Sequence, residues 1–452
     1  MAIKKWRHLL LGCLLVLCEG ACVPVALTPI PSSSPASSIV NPSPKLSGEI
    51  AFLTSEDPDG LQGYKDIIAA FNQVQPAVKV TLNNIPESGD YLRRLAADFA
   101  AKTPPDVFTV NYRRFGQFAI KGVLEPLDGY LAKSVVIKGG DFYPLAFDAF
   151  KLRDKQYCIP QNFSSLQIYY NKNLFTAANV PFPKSGWTRD DFLAAARALT
   201  KDTNGDGKTD QYGVGIAAQV MRIAPFIWAR GGELVDDAVR PTKLTLDTGP
   251  ALEAFKWFVE LQTKEHVAPS KTDEASANSQ TRFQKGTLAM FFQSRVVTPE
   301  FRQTIKGFEW DVAPMPADKS MLTILHSDAY CMASRSNKKD LAWAFMEFAN
   351  SPAGQKIIAV SGRTVPSLKR VAESPAFLDP QALPANSQLY LDSAAYMRRL
   401  PVMTTWIEIE DVMNQEIRRA FYGDVSVEEA AKAAAQNTAT FFQQNLKDLG
   451  AQ

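Results

Sequence analysis

Histidine is nearly absent from this chain of 452 residues, with three in all, and cysteine is scarce at five. His8 lies close to the start, so only His266 and His326 remain for the body of the chain. No His-Glu-x-x-His and no Gly-x-Ser-x-Gly occurs, which removes the common zinc-hydrolase and serine-hydrolase signatures. Gly207-Lys208-Thr209 ends like a phosphate-binding loop, but Asp202 stands where the opening glycine is needed. An excess of one charge is also lacking. With 49 basic against 47 acidic residues, nothing in the balance favours nucleic acid as a partner. Beyond the first two dozen residues no apolar run reaches the roughly 18 residues that suggest a membrane span.

What is present begins with an export signal. Lys4, Lys5 and Arg7 precede an apolar run from Leu9 to Cys18, too short to cross a bilayer. Glu19-Gly20-Ala21-Cys22 follows and resembles a bacterial lipobox, although Glu19 replaces the usual aliphatic residue. Residues 1–22 are therefore expected to be a signal peptide with a lipobox, and Cys22 the lipidated residue. Residues 23–44 hold six prolines and the run Ser32-Ser33-Ser34. Such a segment buries too little apolar surface to fold and reads as a tether. In a polyproline-like state, at about 3.1 Å per residue, it reaches up to roughly 70 Å. About 400 residues remain, room for two domains. Of the cysteines only Cys158 and Cys331 lie in that body. An exported protein can oxidise such a pair, but nothing local forces it, and two buried thiols are the preferred reading.

Apolar periodicity gives the class. Glu49 to Thr54 is a short apolar run, and Tyr64, Ile67, Ile68 and Phe71 mark one face of a helix. Val78, Val80 and Leu82 alternate as a strand; a second helix carries Leu92, Leu95 and Phe99; Val107 to Val110 is a third strand. Strand and helix in alternation predict a parallel α/β sheet, whose ligands sit at the carboxyl ends of the strands. Thr188 can cap a helix to Thr200, with Asp191 at the capping-box position and Trp187 stapled onto Phe192. The last third is mainly helical, over 340–350, 406–422 and 426–446.

Seven short stretches then point to a family. Phe71 to Val80 resembles its first helix and strand, and Thr103-Pro104-Pro105-Asp106-Val107-Phe108 its PPDVF turn. Gly122-Val123-Leu124-Glu125-Pro126-Leu127 matches the GxLxPL that follows, and Tyr157-Cys158-Ile159-Pro160 stands for Tyr-Gly-Ile-Pro. Tyr170 to Phe175 with Trp187-Thr188 resembles YNKxLF…TW, and Phe283 to Met290 and Gly423 to Ala430 complete the series. In this order they resemble the family 1 extracellular solute-binding proteins, the group that includes maltose-binding protein. The resemblance implies a type II periplasmic-binding-protein fold: two α/β lobes, each a sheet flanked by helices, joined by a hinge. It places the N-lobe at 45–159 and 330–372 and the C-lobe at 160–329 and 373–452. Crossings are expected near 158–161, 327–332 and 369–374. If both cysteines sit at crossings they are neighbours, and a disulfide between them would stiffen the hinge.

The implied function is capture of a carbohydrate between the lobes and delivery to an ABC permease, by a monomer held to the membrane only through its lipid. It would work at the outer face of the cytoplasmic membrane or in the periplasm, without nucleic acid and without catalysis. A sugar site needs planar hydrogen-bonding groups and aromatic faces converging in a cleft. Asn111, Tyr112, Arg113 and Arg114 follow a strand end directly, and Ser55 and Glu56 follow another. Asn162 comes just after the first crossing, beside Gln161 and Ser164. Tyr169 and Tyr170 alternate on a strand, and the family pattern selects Tyr170. Ser294 and Arg295 close the apolar run Leu288 to Phe292. The resemblance adds Trp228 near a cleft-lining segment and Trp406 at the start of a helix that supplies a stacking aromatic in sugar-binding relatives. Trp257 and Trp343 read as core or core rim, and Trp310, alternating with Phe308 and Val312, as half-buried sheet.

No cofactor is required, but Asp202, Asn204, Asp206, Lys208 and Asp210 follow the spacing of a calcium loop. Gly213 stands where that loop needs its bidentate glutamate, so a structural calcium and a plain polar turn both fit. Three alternatives to sugar binding remain. Adjacent Tyr169 and Tyr170 resemble the pair in ferric-ion binding proteins; the arginines also suit glycerol phosphate; and a secreted carbohydrate-active enzyme would leave no local signature in its paired carboxylates.

Overall fold

A computed structural model describes residues 46–450. The signal, Cys22 and the tether lie outside the described residues. The strands, in chain order, are β1 Gly48–Thr54, β2 Val78–Asn84, β3 Val107–Asn111, β4 Lys151–Leu152, β5 Lys155–Gln156, β6 Cys158–Pro160, β7 Asn162–Ser165, β8 Gln167–Asn171 and β9 Tyr212–Gly215. They continue with β10 Leu288–Gln293, β11 Trp310–Ala313, β12 Thr323–His326, β13 Asp328–Met332, β14 Val365–Pro366 and β15 Met397–Arg398.

The first sheet has the order β2-β1-β3-β13-β6. Its opening β-α-β-α-β run is the one the apolar pattern predicts. β1 lies parallel to β2 and β3, with helices Pro58–Val74 and Ser88–Ala100 as the crossovers. Asp57 caps the first helix by accepting the Gly60 amide, and Tyr64, Ile67 and Phe71 form its buried stripe. Because β1 and β3 are parallel, their carboxyl ends open at one edge.

A second sheet, β11-β8-β10-β9, carries the middle of the chain. A third, β14-β7-β12-β15, lies between them in chain order: the chain leaves the first sheet at β6, passes through β7 and enters the second at β8. It returns through β11, β12 and β13. The linking strands are therefore 162–165 and 323–326, a few residues inward of the expected crossings. Residues Lys369–Ala372 are a helix; β14 and β15 supply the other two linking strands. Helices Trp406–Phe421 and Val427–Gly450 pack on each other at the end of the chain. Among the described residues no helix is long and apolar enough to cross a membrane.

Cys158 and Cys331 are disulfide-bonded, which corrects the preference for thiols and the expected place at the hinge. They are register partners on β6 and β13, inside the first sheet. Three positions along the same ladder, Gln161 N donates to Asp328 O at 2.9 Å, which marks a hydrogen-bonded position. Alternation along the ladder then makes Cys158 and Cys331 a non-hydrogen-bonded pair, the closer kind, and their Cα atoms are 4.4 Å apart. Thr188 and Asp191 form the predicted capping box, and Trp187 meets Phe192 edge-on at 5.8 Å.

Candidate functional site

At the shared edge of β1 and β3 lies a cavity of about 290 Å³, lined by Ser55, Glu56, Ser88, Tyr91, Asn111, Arg113, Arg114 and Asp328 among others. Local structure turns these side chains together. Asn111 ends β3 and caps helix Tyr112–Ala119, accepting from the amide and Nε of Arg113 at 3.2 and 3.1 Å. Its Nδ2 donates to Asp328 Oδ1 at 3.0 Å across the β3–β13 pairing. Asn162, on linking strand β7, accepts the Asp328 amide at 3.0 Å and donates back to Oδ2 at 3.5 Å. Arg114 donates to Ser88 Oγ at 2.6 Å, while its buried Nε has no partner.

Arg113 reaches from this edge to an ion pair with Glu410 of helix Trp406–Phe421. Gly116 makes that approach possible. A Cβ at Gly116 would sit 2.3 Å from the Met403 carbonyl oxygen, so only glycine lets the segment before Trp406 lie against this helix. Beyond Arg113 the polar cluster continues inward. Arg222, on the apolar helix Val220–Ala229, donates to Gln293 Oε1 at 2.6 Å. Burial and the like charge of Arg113 hold its guanidinium down to about 10. His326, on β12, is pushed well below the usual imidazole range by burial and then by Arg222 and Arg113. Glu56 pairs with Arg363 at 3.2 Å, yet burial dominates and raises its carboxyl to about 7.

Of the expected ligand residues, Ser55, Glu56, Asn111, Arg113 and Arg114 meet around the cavity, and Asn162 bonds to its wall. The others are elsewhere. Tyr112 is buried, because successive helical residues point about 100° apart and it takes the inward position. Tyr170 packs on Phe175 and Phe182 at 5.6 and 5.7 Å, an apolar contact away from the cavity. Tyr169 faces the other side of β8, where its hydroxyl meets Tyr390 and Thr298 at 2.9 and 2.8 Å. The two tyrosines share no point at which an iron could sit. Ser294 is buried beside Gln293, and its carbonyl accepts from Tyr169. Arg295 is structural: its guanidinium lies between the rings of Phe377 and Tyr390 and donates to Gly362 O and Ser387 Oγ. Trp406 is fully buried. Trp228 lines a separate cavity of about 310 Å³ with Arg398 stacked on it at 4.8 Å.

Residues missed by the sequence reading are Asp328, Glu410, Arg222, Gln293, Ser88 and Tyr91. Two of them left a trace. Glu410 lies one turn after Trp406 on the same helical face, and Arg222 is the lone charge in Val220–Ala229. In the 202–210 loop the acidic oxygens accept backbone amides: Asp202 from Gly205 and Gly207, Asp206 from Lys208, and Asp210 from Thr203 and Asn204. Asn204 likewise accepts from Asp206. Among the described residues no three His, Cys, Asp or Glu side chains are grouped to hold a metal. Gly213 stands where a calcium loop carries its bidentate glutamate.

Two α/β sheets joined by a linking sheet, with a polar cavity at parallel strand ends, define a two-lobe periplasmic-binding-protein architecture. The chain matches the bacterial extracellular solute-binding protein family over residues 55–356 and belongs to that family. It is 22% identical to the maltotriose-binding protein of Pyrococcus abyssi, over 84% of this chain and 80% of that protein. It is also 22% identical to the galactooligosaccharide-binding protein of Bacillus subtilis, over 84% of each. Among solved structures, an ABC substrate-binding protein from Listeria monocytogenes in complex with cycloalternan superposes with a TM-score of 0.79 at 27% identity, covering 87% of this chain and 99% of that one. The GacH receptor of Streptomyces glaucescens, solved with acarbose, gives 0.76 at 21% identity, covering 88% and 99%. The family is one of extracellular binding proteins rather than enzymes, and its members act outside the cytoplasm.

Proposed function

We propose that this chain is the extracytoplasmic binding component of an ABC importer, capturing a carbohydrate between its lobes and handing it to the permease. One observation carries the reading: amide, carboxylate and guanidinium groups converge on one cavity at the carboxyl ends of β1 and β3. Such planar groups match the alternating donors and acceptors of sugar hydroxyls. The relatives named for maltotriose and galactooligosaccharide, and the neighbour holding cycloalternan, support an oligosaccharide as the occupant. The sheet memberships support lobes at 45–159 with 330–372 and at 160–329 with 373–452.

A monomer anchored through Cys22 at the outer face of the cytoplasmic membrane completes the proposal, with no cofactor and no turnover. Titration of the purified protein with malto- and galacto-oligosaccharides, read by calorimetry, tests it. Saturable one-to-one binding with the sugar recovered intact is the expected result. Hydrolysed sugar would instead make the chain an enzyme.

A further inference from the structure

Helix Val220–Ala229 carries a cation without a counter-charge, near Arg113 of the site. Arg222 is 8% exposed, and among the described residues it forms no ion pair. One Nη is satisfied by Gln293, and Nε has no partner at all. The half-buried Arg113 and Arg189 have Glu410 and Asp318, and Arg295, the other buried arginine among the described residues, has no carboxylate but is given two acceptors and two ring faces. An unpaired buried charge costs several kcal/mol by ordinary estimates, and the like charge of Arg113 adds to that cost.

The nearby carboxylates serve other cations: Glu410 and Asp328 face Arg113 and Arg114, Asp411 also lies near Arg114, and Glu56 on the same cavity wall pairs with Arg363, while the charged neighbour of Arg222 is Arg113. His326 Nδ1, Arg114 Nε and Arg222 Nε are all buried without partners. Arg113 follows β3 of the first sheet, and Arg222 bonds to Gln293 at the end of β10 of the second.

We propose that the ligand carries an anionic oxygen group, a carboxylate or a phosphate ester, that docks on Arg222 beside Arg113. Such a group supplies the missing charge, accepts from the free Nε and presents a planar or tetrahedral set of oxygens to a guanidinium fork. The proposal rests on the carbohydrate-binding reading and narrows it to acidic sugars. A uronate and a sugar phosphate offer the same chemistry from two sources, and the test separates them.

Calorimetry would compare maltotriose and galactotriose with trigalacturonate and glucose 6-phosphate, on the wild type and on Arg222→Gln. The expected result is a preference of about tenfold or more for one acidic ligand, as a charge-assisted pair gives. Arg222→Gln then loses that preference, weakening the acidic ligand by more than it weakens neutral sugar. Which acidic ligand wins identifies the group. Should Arg222→Gln fail to fold, Arg222→Lys keeps the charge without the fork, and it should weaken acidic ligand more than neutral. Neutral sugar bound as well as acidic, with no effect of either substitution, overturns this proposal and leaves the carbohydrate reading intact. No binding of any sugar by folded protein overturns both.

Discussion

Arg113 and Glu410 tie the strand-end loop to the C-terminal helix, and both side chains are mostly buried, at 20% and 11% exposed. Removing Arg113 strands a buried carboxylate, whose other oxygen already lacks a partner. Arg113→Ala should therefore cost roughly 3–5 kcal/mol in thermal or urea unfolding. Adding Glu410→Gln should restore part of the loss, and a purely additive pair would rule out the coupling. Glu56 gives a pH signature. Burial raises its carboxyl from 4.5 to about 7. Between those values the folded chain keeps a proton that the unfolded chain has released, so folding loses stability as pH rises through the window. The contribution is fully present below 4.5 and gone above about 7. Glu56→Gln, which imitates the protonated form, should melt above wild type at pH 8 and with it near pH 4.5. Equal melting at both pH values would contradict the assignment.

Strand pairing decides what the disulfide does. Cys158–Cys331 links β6 to β13 within the first sheet and closes 173 residues of chain. It holds the strand that begins with Asp328, but it does not bridge the lobes. Removing both thiols (Cys158→Ala with Cys331→Ala) should cost about 2–5 kcal/mol of stability, seen as a lower melting temperature. Ligand affinity should stay within a few-fold of wild type, because Asp328 keeps its bonds to Asn111 and Asn162. A large loss of affinity in folded double variant would place the bond in the hinge after all.

Over the whole molecule, the third sheet links the other two through strands of two to four residues. A connection that thin permits hinge closure around a ligand. Saturating sugar should reduce the radius of gyration measured by solution X-ray scattering. At a hundred times its dissociation constant a ligand should also add about 2.7 kcal/mol of stability. Stabilisation without compaction would mean that the lobes are already closed before binding.

Local chemistry was legible in the chain from the start. Periodicity placed the opening strands and helices, the Thr188-x-x-Asp191 pattern placed a capping box, and the strand ends marked Ser55, Glu56, Asn111, Arg113 and Arg114. These features depend on residues a few positions apart, so short-range rules suffice. The three-dimensional arrangement alone decided the rest. Asp328 and Glu410 lie 217 and 297 residues beyond the Asn111 and Arg113 they contact, and no local pattern encodes such a distance. Direction was equally hidden: Tyr112, Tyr170 and Trp406 sit at the anticipated positions, but packing turns each one into the core. The sequence determined which backbone edges could hold a ligand, because hydrophobic period and capping are local. The tertiary structure chose the side chains, because burial and pairing are properties of the assembled lobes.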